Sequence, residues 1–294
     1  MAVNIGSKDL EQCKKGSSDI VGIYKGSTLI WPTKYDTVKS VADQICVDVG
    51  YEPIHYALFD GDTSNEGIRF GDMLWGTSQP FASISGASTF TQGLEGKARK
   101  ALLCSNTNIT LHSDARYRMT NAGTISICCK QTSSNSSNTG LYGGCIFGNS
   151  HWGLGYALGW RPNVDNNGPN FEIYTGTGNN DGAATRTPGT KAISINKWHH
   201  ILCCFSISGG TAYTHIWIDG VYVSASSTGN NSVIGYQSIM DQGRTESIHL
   251  GRVLQSGWNY FKGAIQDFIM WPIVLPNAQL NALINYYKSH GVSN

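Results

Sequence analysis

Carboxylates, histidines and aromatic rings are the side chains of this chain that could do chemistry, and their spacing limits what each could do. Glycoside hydrolysis needs two carboxylates, about 5 Å apart in a retaining enzyme and wider in an inverting one. On a strand, acidic residues two or four positions apart share one face and supply that closeness. Glu172 in "NFEIY" has no acidic partner at either spacing, and Glu246 stands equally alone. Asp48 has Glu52 four positions on, but Gly50 and Pro53 predict a bend there. His199 and His200, adjacent in "INKWHHILCCFS", are of a type suited to acid–base work. The signatures G-x-S-x-G, H-E-x-x-H and the phosphate loop are absent. A non-catalytic chain is therefore expected, with a glycan hydrolase as the alternative.

Aromatic rings beside polar loops carry a different chemistry. A ring stacks on the apolar face of a pyranose, while Asn, Asp and Arg bind its hydroxyls. Trp152, Trp160 and Arg161 in "HWGLGYALGWR", and Trp258 and Tyr260 in "SGWNYF", are the candidate sugar-binding residues. Core packing is the competing reading, and it is preferred for Tyr156.

The elements that must position these residues look like β-strands. Of 294 residues, 14% are charged, 11% are aromatic and 35 are glycine, with a net charge of +1. A low-charge, turn-rich chain of this kind predicts an all-β protein. Lys and Arg do not cluster, so no nucleic-acid partner is expected. No apolar run reaches membrane-spanning length, so no membrane insertion is expected.

Short alternating runs follow one another from about residue 40, at spacings suited to a sandwich. "SVADQICVDVGY" reads as a strand and "FDGDTSNEGIRF" as a turn between strands. "TISICCK", "GCIFGN", "WGLGYALGW", "NFEIYTG", "KWHHILCCFSI", "YTHIWIDGVYVSAS", "SIHLGRV" and "KGAIQDFIMWPIVL" read as strand segments, with Asp219-Gly220 as a hairpin turn. "QTSSNSSNTG" and "GTGNNDGAATRTPGT" read as polar loops. Leu280, Leu283, Ile284 and Tyr287 are spaced as one helix face, and Gly291 is placed to end that helix. At the other end, residues 6–16 read as one or two helical turns between Ser7 and Gly16. Residues 18–33 read as a hairpin. The expected division is an N-terminal module over 1–34 and a sandwich over 35–294.

Eight cysteines invite a disulfide framework, but a chain this long does not need one. No Cys-x-x-Cys or zinc spacing occurs. Cys128-Cys129 and Cys203-Cys204 lie in strand segments, where neighbours face opposite sides, so each pair is expected to be split between core and surface. Eight free thiols are expected, consistent with folding in a reducing cytoplasm. The first residues carry no apolar signal-type stretch.

The order of "FDGDTSNEGIRF", "INKWHHILCCFS", "THIWIDGVYVSAS", "IHLGR" and "YFKGAIQDFIMWPIVLPNAQLNALINYY" resembles the concanavalin A-like, laminin G-type jelly roll over roughly residues 45–290. The resemblance implies an antiparallel two-sheet sandwich with a C-terminal helix, and makes His199 and His200 structural strand residues. It also implies calcium as the candidate cofactor, held by loop oxygens. Asp165 and Asn167 in "NVDNNG", and Asn180 and Asp181 in "GNNDG", are the residues that could supply them, with ordinary Asx turns as the alternative.

A second resemblance lies in "IVGIYKGSTLIWP", which is similar to N-terminal modules of virion proteins from tailed phages of gut Bacteroidales. It implies a head or tail fibre or decoration protein, assembled in the host cytoplasm and located in the virion. Ile20, Ile23, Leu29, Ile30 and Trp31 would make the attachment contact with other virion proteins or sister chains. A homotrimer is the expected assembly, and a host-surface or mucosal glycan the expected ligand. A purely structural capsid or tail protein and a bacterial cell-surface lectin are the remaining alternatives.

Overall fold

The computed structural model describes residues 14–15, 18–19, 23–25, 28–31, 38–57, 68–70, 83–94, 96–110, 121–132, 142–148, 154–160, 169–175, 184–188, 193–209, 211–229, 249–252 and 258–292. β1 (Lys14–Lys15) pairs with β2 (Ser18–Asp19), and β3 (Ile23–Lys25) pairs with β4 (Thr28–Trp31), each as a separate two-stranded sheet. The second is the expected hairpin, with Ile23 opposite Trp31 and Tyr24 opposite Leu29. The first corrects the end of the expected helical turns. Lys14 and Lys15 run antiparallel to Asp19 and Ser18, and the intervening Gly16-Ser17 is of the type that two-residue hairpin loops favour. Residues 1–13, and Ile20, lie outside the described residues.

The segment expected as a strand near residue 40 is instead a helix, α1 (Val38–Val49). Val38, Val41, Ala42, Ile45 and Cys46 are buried along one stripe, whereas Val47 is 70% exposed. The alternation of Ile45, Val47 and Val49 imitated a strand, but steps of three and four set the buried face.

Among the described residues, fifteen strands form one connected sheet that folds over on itself. β5 (His55–Ala57) and β6 (Ile68–Phe70) form a hairpin around the expected turn. β7 (Ser83–Gly93) and β8 (Gly96–Thr110) form a long hairpin that the strand reading passed over, because Ser, Thr, Gly and Asn dilute its apolar alternation. Next come β9 (Ala122–Gln131), β10 (Tyr142–Gly148), β11 (Leu154–Trp160) and β12 (Pro169–Thr175). β13 (Ala184–Pro188) corrects the polar loop expected there. It is the last strand of the path, where proline is tolerated. The chain continues through β14 (His199–Ser208), β15 (Thr211–Ile218), β16 (Val221–Gly229), β17 (His249–Leu250), β18 (Trp258–Tyr260) and β19 (Gly263–Trp271), and closes with α2 (Asn277–Ser289).

The path runs β13-β12-β11-β10-β17-β8-β19-β9-β14-β15-β16, with β18 beside β10. Pairing is antiparallel except between β10 and β18. β8 belongs to both layers. Its Leu102–Cys104 portion pairs with β19, and Ile109 and Thr110 pair with β17. Between them the register slips around Asn106, whose φ is +56. A bulge of this kind turns a strand from one sheet into the other. At the far side β13 lies against β15 and β16, which brings the two ends of the path together.

Two cores result. One lies between the layers and includes Ile127, Ile201, Ile216, Phe261, Ile265 and Phe268. The other lies between the outer face of β19-β9-β14 and the two helices, and includes Ile45, Leu202, Trp271, Leu283 and Tyr287. This second core corrects the expected exposure of half of each cysteine pair. Cys129 and Cys203 point into the first core, Cys128 and Cys204 into the second, and none reaches solvent. Alternation of faces was right, but helices cover the outer one.

Candidate functional site

His200 sits under α2, and both histidines are occupied by the fold. His199 Nδ1 lies 2.8 Å from Asp219 Oδ2, and the His200 backbone N–H donates to Asp219 Oδ1 at 3.0 Å. Asp219 opens the β15–β16 turn with φ +53, followed by Gly220 at φ +73, the conformation that Asp-Gly favours. His200 Nε2 is 2.9 Å from Ser126 Oγ, and its ring stacks on Tyr287 of α2 at 4.0 Å. Burial pushes the His200 pKa down to about 3. A neutral, stacked, fully buried imidazole holds the helix to the sheet and cannot meet a substrate. Asp267, on the β19 bulge with φ +56, accepts from the Tyr287 hydroxyl at 3.3 Å. Both buried carboxylates thus serve α2 and the turn beneath it. Asp48 lies on exposed helix surface, bonded to Gln44 and Gln279, and not on a strand beside Glu52.

A second constellation forms at one end of β10. Tyr142 is opposite Trp258, Cys145 is opposite Tyr260, and on the other edge Gly144 is opposite Trp160. Trp160 therefore lies two strand spacings, about 10 Å, from the backbone of Trp258 and Tyr260. The chain reaches β18 by an excursion whose neck is closed by three hydrogen bonds. Gly251 N–H donates to the Ile146 carbonyl at 2.7 Å, Phe261 N–H donates to the Gly251 carbonyl at 2.8 Å, and Arg252 Nη1 donates to the Tyr260 hydroxyl at 2.6 Å. The Arg252 guanidinium also lies 4.6 Å from the Tyr260 ring centre. Only glycine fits at the neck, because φ is +80 and a Cβ at Gly251 would stand 2.6 Å from the Thr107 carbonyl oxygen. That oxygen belongs to the β8 bulge, so the strand that joins the layers also places Arg252. Beside it His249 Nδ1 lies 3.0 Å from Asn108 Oδ1. Burial, and then Arg252, lower the His249 pKa to about 4.

Of the predicted sugar-binding residues, Trp160, Trp258 and Tyr260 are thus brought to neighbouring strands, while Trp152 and Arg161 lie outside the described residues. The calcium candidates Asp165, Asn167, Asn180 and Asp181 also lie outside them, and among the described residues no cluster of three His, Cys, Asp or Glu could hold a metal. Arg252 was not anticipated. Its signal was weak, a single arginine after "HLG" and eight positions before Tyr260. A further group was passed over, Tyr213, His215 and Trp217 on β15 with Tyr222 on β16. Its signal was the alternation of "YTHIW", which puts three rings on one face.

A laminin G-type sequence profile, described as the concanavalin A-like lectin/glucanases superfamily, matches residues 104–281. That is more than half of the chain. The chain belongs to the concanavalin A-like lectin/glucanases superfamily. The match spans β8 to the first turn of α2, and is narrower than the 45–290 suggested by resemblance. None of the curated proteins is similar to it at a significant level. Among solved structures, the binding domain of Paraclostridial Mosquitocidal Protein 1 is similar with a TM-score of 0.56 at 14% identity, over 80% of this chain and 52% of that one. The binding domain of botulinum neurotoxin serotype D is similar with a TM-score of 0.51 at 11% identity, over 82% and 52%. The serotype G binding domain gives 0.51 at 14%, over 81% and 51%. The chain spans about half the length of these structures, and at such identities the likeness concerns the fold.

Proposed function

We propose that this chain is a non-catalytic, lectin-like virion protein of a tailed phage, whose jelly roll holds a host-surface or mucosal glycan. The observation that carries the binding reading is the placement of Trp258 and Tyr260 on β18, with Arg252 held against the Tyr260 ring and Trp160 two strands away across β10. Rings offer the stacking surface and a guanidinium offers donors to hydroxyl or carboxylate oxygens. Membership of a superfamily of lectins and glucanases supports a carbohydrate ligand. The structural use of Asp219 and Asp267 supports binding over hydrolysis. The virion reading rests on the "IVGIYKGSTLIWP" resemblance and on the hairpin it forms, apart from the large sheet.

Single stacked contacts are weak, so one site is expected to bind with a dissociation constant on the order of millimolar to micromolar. A trimer, repeated over a particle, raises avidity by orders of magnitude when several sites engage together. The test is an array of host capsular and mucin glycans probed with the oligomeric protein. Trp258→Ala and Tyr260→Ala are expected to weaken binding while the far-ultraviolet spectrum is unchanged. Release of reducing sugar would convert the reading to a hydrolase. Absence of any binding by the multivalent form would leave a purely structural virion protein.

A further inference from the structure

On the other layer, β15 buries Ala212, Thr214, Ile216 and Ile218 and turns Tyr213, His215 and Trp217 outward. Across the hairpin Tyr222 pairs with Trp217. The rings are mutually fixed. Trp217 meets Tyr222 edge-on at 5.2 Å, His215 lies 6.0 Å from Trp217, and the Tyr222 hydroxyl is 3.3 Å from His215 Nδ1. Trp217 is anchored at the rim of the helix-side core, while Tyr213 and Tyr222 remain 43% and 50% exposed.

We propose that this outward face of β15–β16 is a second carbohydrate platform, separate from the β10 end, and that it takes a neutral oligosaccharide laid along the strand. Three rings at alternate strand positions give stacking surfaces about 7 Å apart. Their hydroxyl and imidazole edges give hydrogen-bonding partners at the same surface. Thr211–Ile218 and Val221–Gly229 contain no Lys, Arg, Asp or Glu, and Lys288 of α2 lies against Gly220 at the turn end, so among the described residues the ring row itself carries no counter-charge for an anionic sugar, a nucleic acid or a charged peptide. A row of four rings is also far short of the roughly 20–30 residues that a stable protein interface takes from each partner. A saccharide, which meets rings one at a time, fits both limits.

The experiment uses the full chain on an array that carries neutral glycans (dextran, mannan and uncharged mucin oligosaccharides) beside sialylated and uronic acid-containing ones. The double variant Tyr213→Ala/Tyr222→Ala removes the two most exposed rings without entering either core. It is expected to lose at least tenfold in binding to a subset of the neutral glycans and to keep the binding that Tyr260→Ala weakens. Trp217→Phe, which preserves the anchor, is expected to give a smaller loss on the same subset. Neutral-glycan binding equal to the parent's would overturn the platform and leave the β10 site standing. So would a change of oligomeric state on sedimentation, which would make the face a contact between copies. A parent chain that binds no glycan would overturn both sites.

Discussion

At the residue scale, Asp219 does three things at once. It takes the left-handed conformation that starts the hairpin turn, and its two carboxylate oxygens serve His199 and the His200 backbone. Hydrogen bonds to a charged group contribute about 1.5–3 kcal/mol each, and alanine resists φ +53. Asp219→Ala is expected to destabilise the protein by roughly 3 kcal/mol or more, read as a lower urea midpoint, with Asp219→Asn losing less. The six buried cysteines among the described residues show the opposite economy, because they fill the two cores as small, weakly polar groups. Burial pushes the thiols of Cys46, Cys104 and Cys204 up to about 12, and those of Cys129 and Cys203 well up. These thiols are expected to resist alkylation in the native protein at neutral pH. After denaturation without reductant all eight cysteines should react, and a mass deficit from bridging would refute the free-thiol reading.

At the element scale, α2 decides how the outer face of one layer is covered, and its seat is pH-sensitive. A Cβ at Gly220 would lie 2.4 Å from Ile284 Cγ2, so the β15–β16 turn is pressed directly under the helix. His200 stacks on Tyr287 within that contact, with a pKa held down to about 3, and His249 on the other layer is held to about 4. In the unfolded chain both titrate near the ordinary histidine value of about 6.5. Between those limits the unfolded state binds more protons than the native one. Stability is therefore complete above about pH 6.5 and falls as pH drops toward 4, by up to about 1.4 kcal/mol per pH unit for each histidine. Urea midpoints measured at about pH 7 and pH 4.5 should show the decline. His200→Asn should make it shallower, and an unchanged slope in that variant would remove His200 from the account.

At the scale of the whole molecule, the hairpin of β3 and β4 stands outside the fifteen-stranded sheet. A lone two-stranded hairpin is marginal in water. Ile23, Leu29, Ile30 and Trp31 are its apolar residues, and the proposed virion contact would bury them. Removal of residues 1–34 is expected to leave a folded domain, with an unchanged β-type circular dichroism spectrum, that no longer joins particles. Normal incorporation of the truncated chain would refute the anchor.

Local pattern determined much of this protein. The apolar run in "KWHHILCCFSI", the alternation in "YTHIWI", the Asp219-Gly220 turn and the 280, 283, 284, 287 stripe are short-range signals, each set by the backbone geometry of a single element. They sufficed for an all-β sandwich with a C-terminal helix, and for a histidine pair with a structural task. Tertiary structure decided what depends on a second surface. Whether Cys128 and Cys204 meet water depends on two helices more than two hundred residues apart in the chain, and α1 itself was hidden because Ile45, Val47 and Val49 fit two periods until packing chose one. Arg252 reaches Tyr260 only because a bulge near Asn106, some 145 positions earlier, presents the Thr107 carbonyl to Gly251 and sets the neck of the excursion. Trp160 and Trp258, nearly a hundred residues apart, become neighbours only through β10. Contacts of that sequence separation leave no periodic trace, because their energy is realised only when distant strands are brought into one sheet.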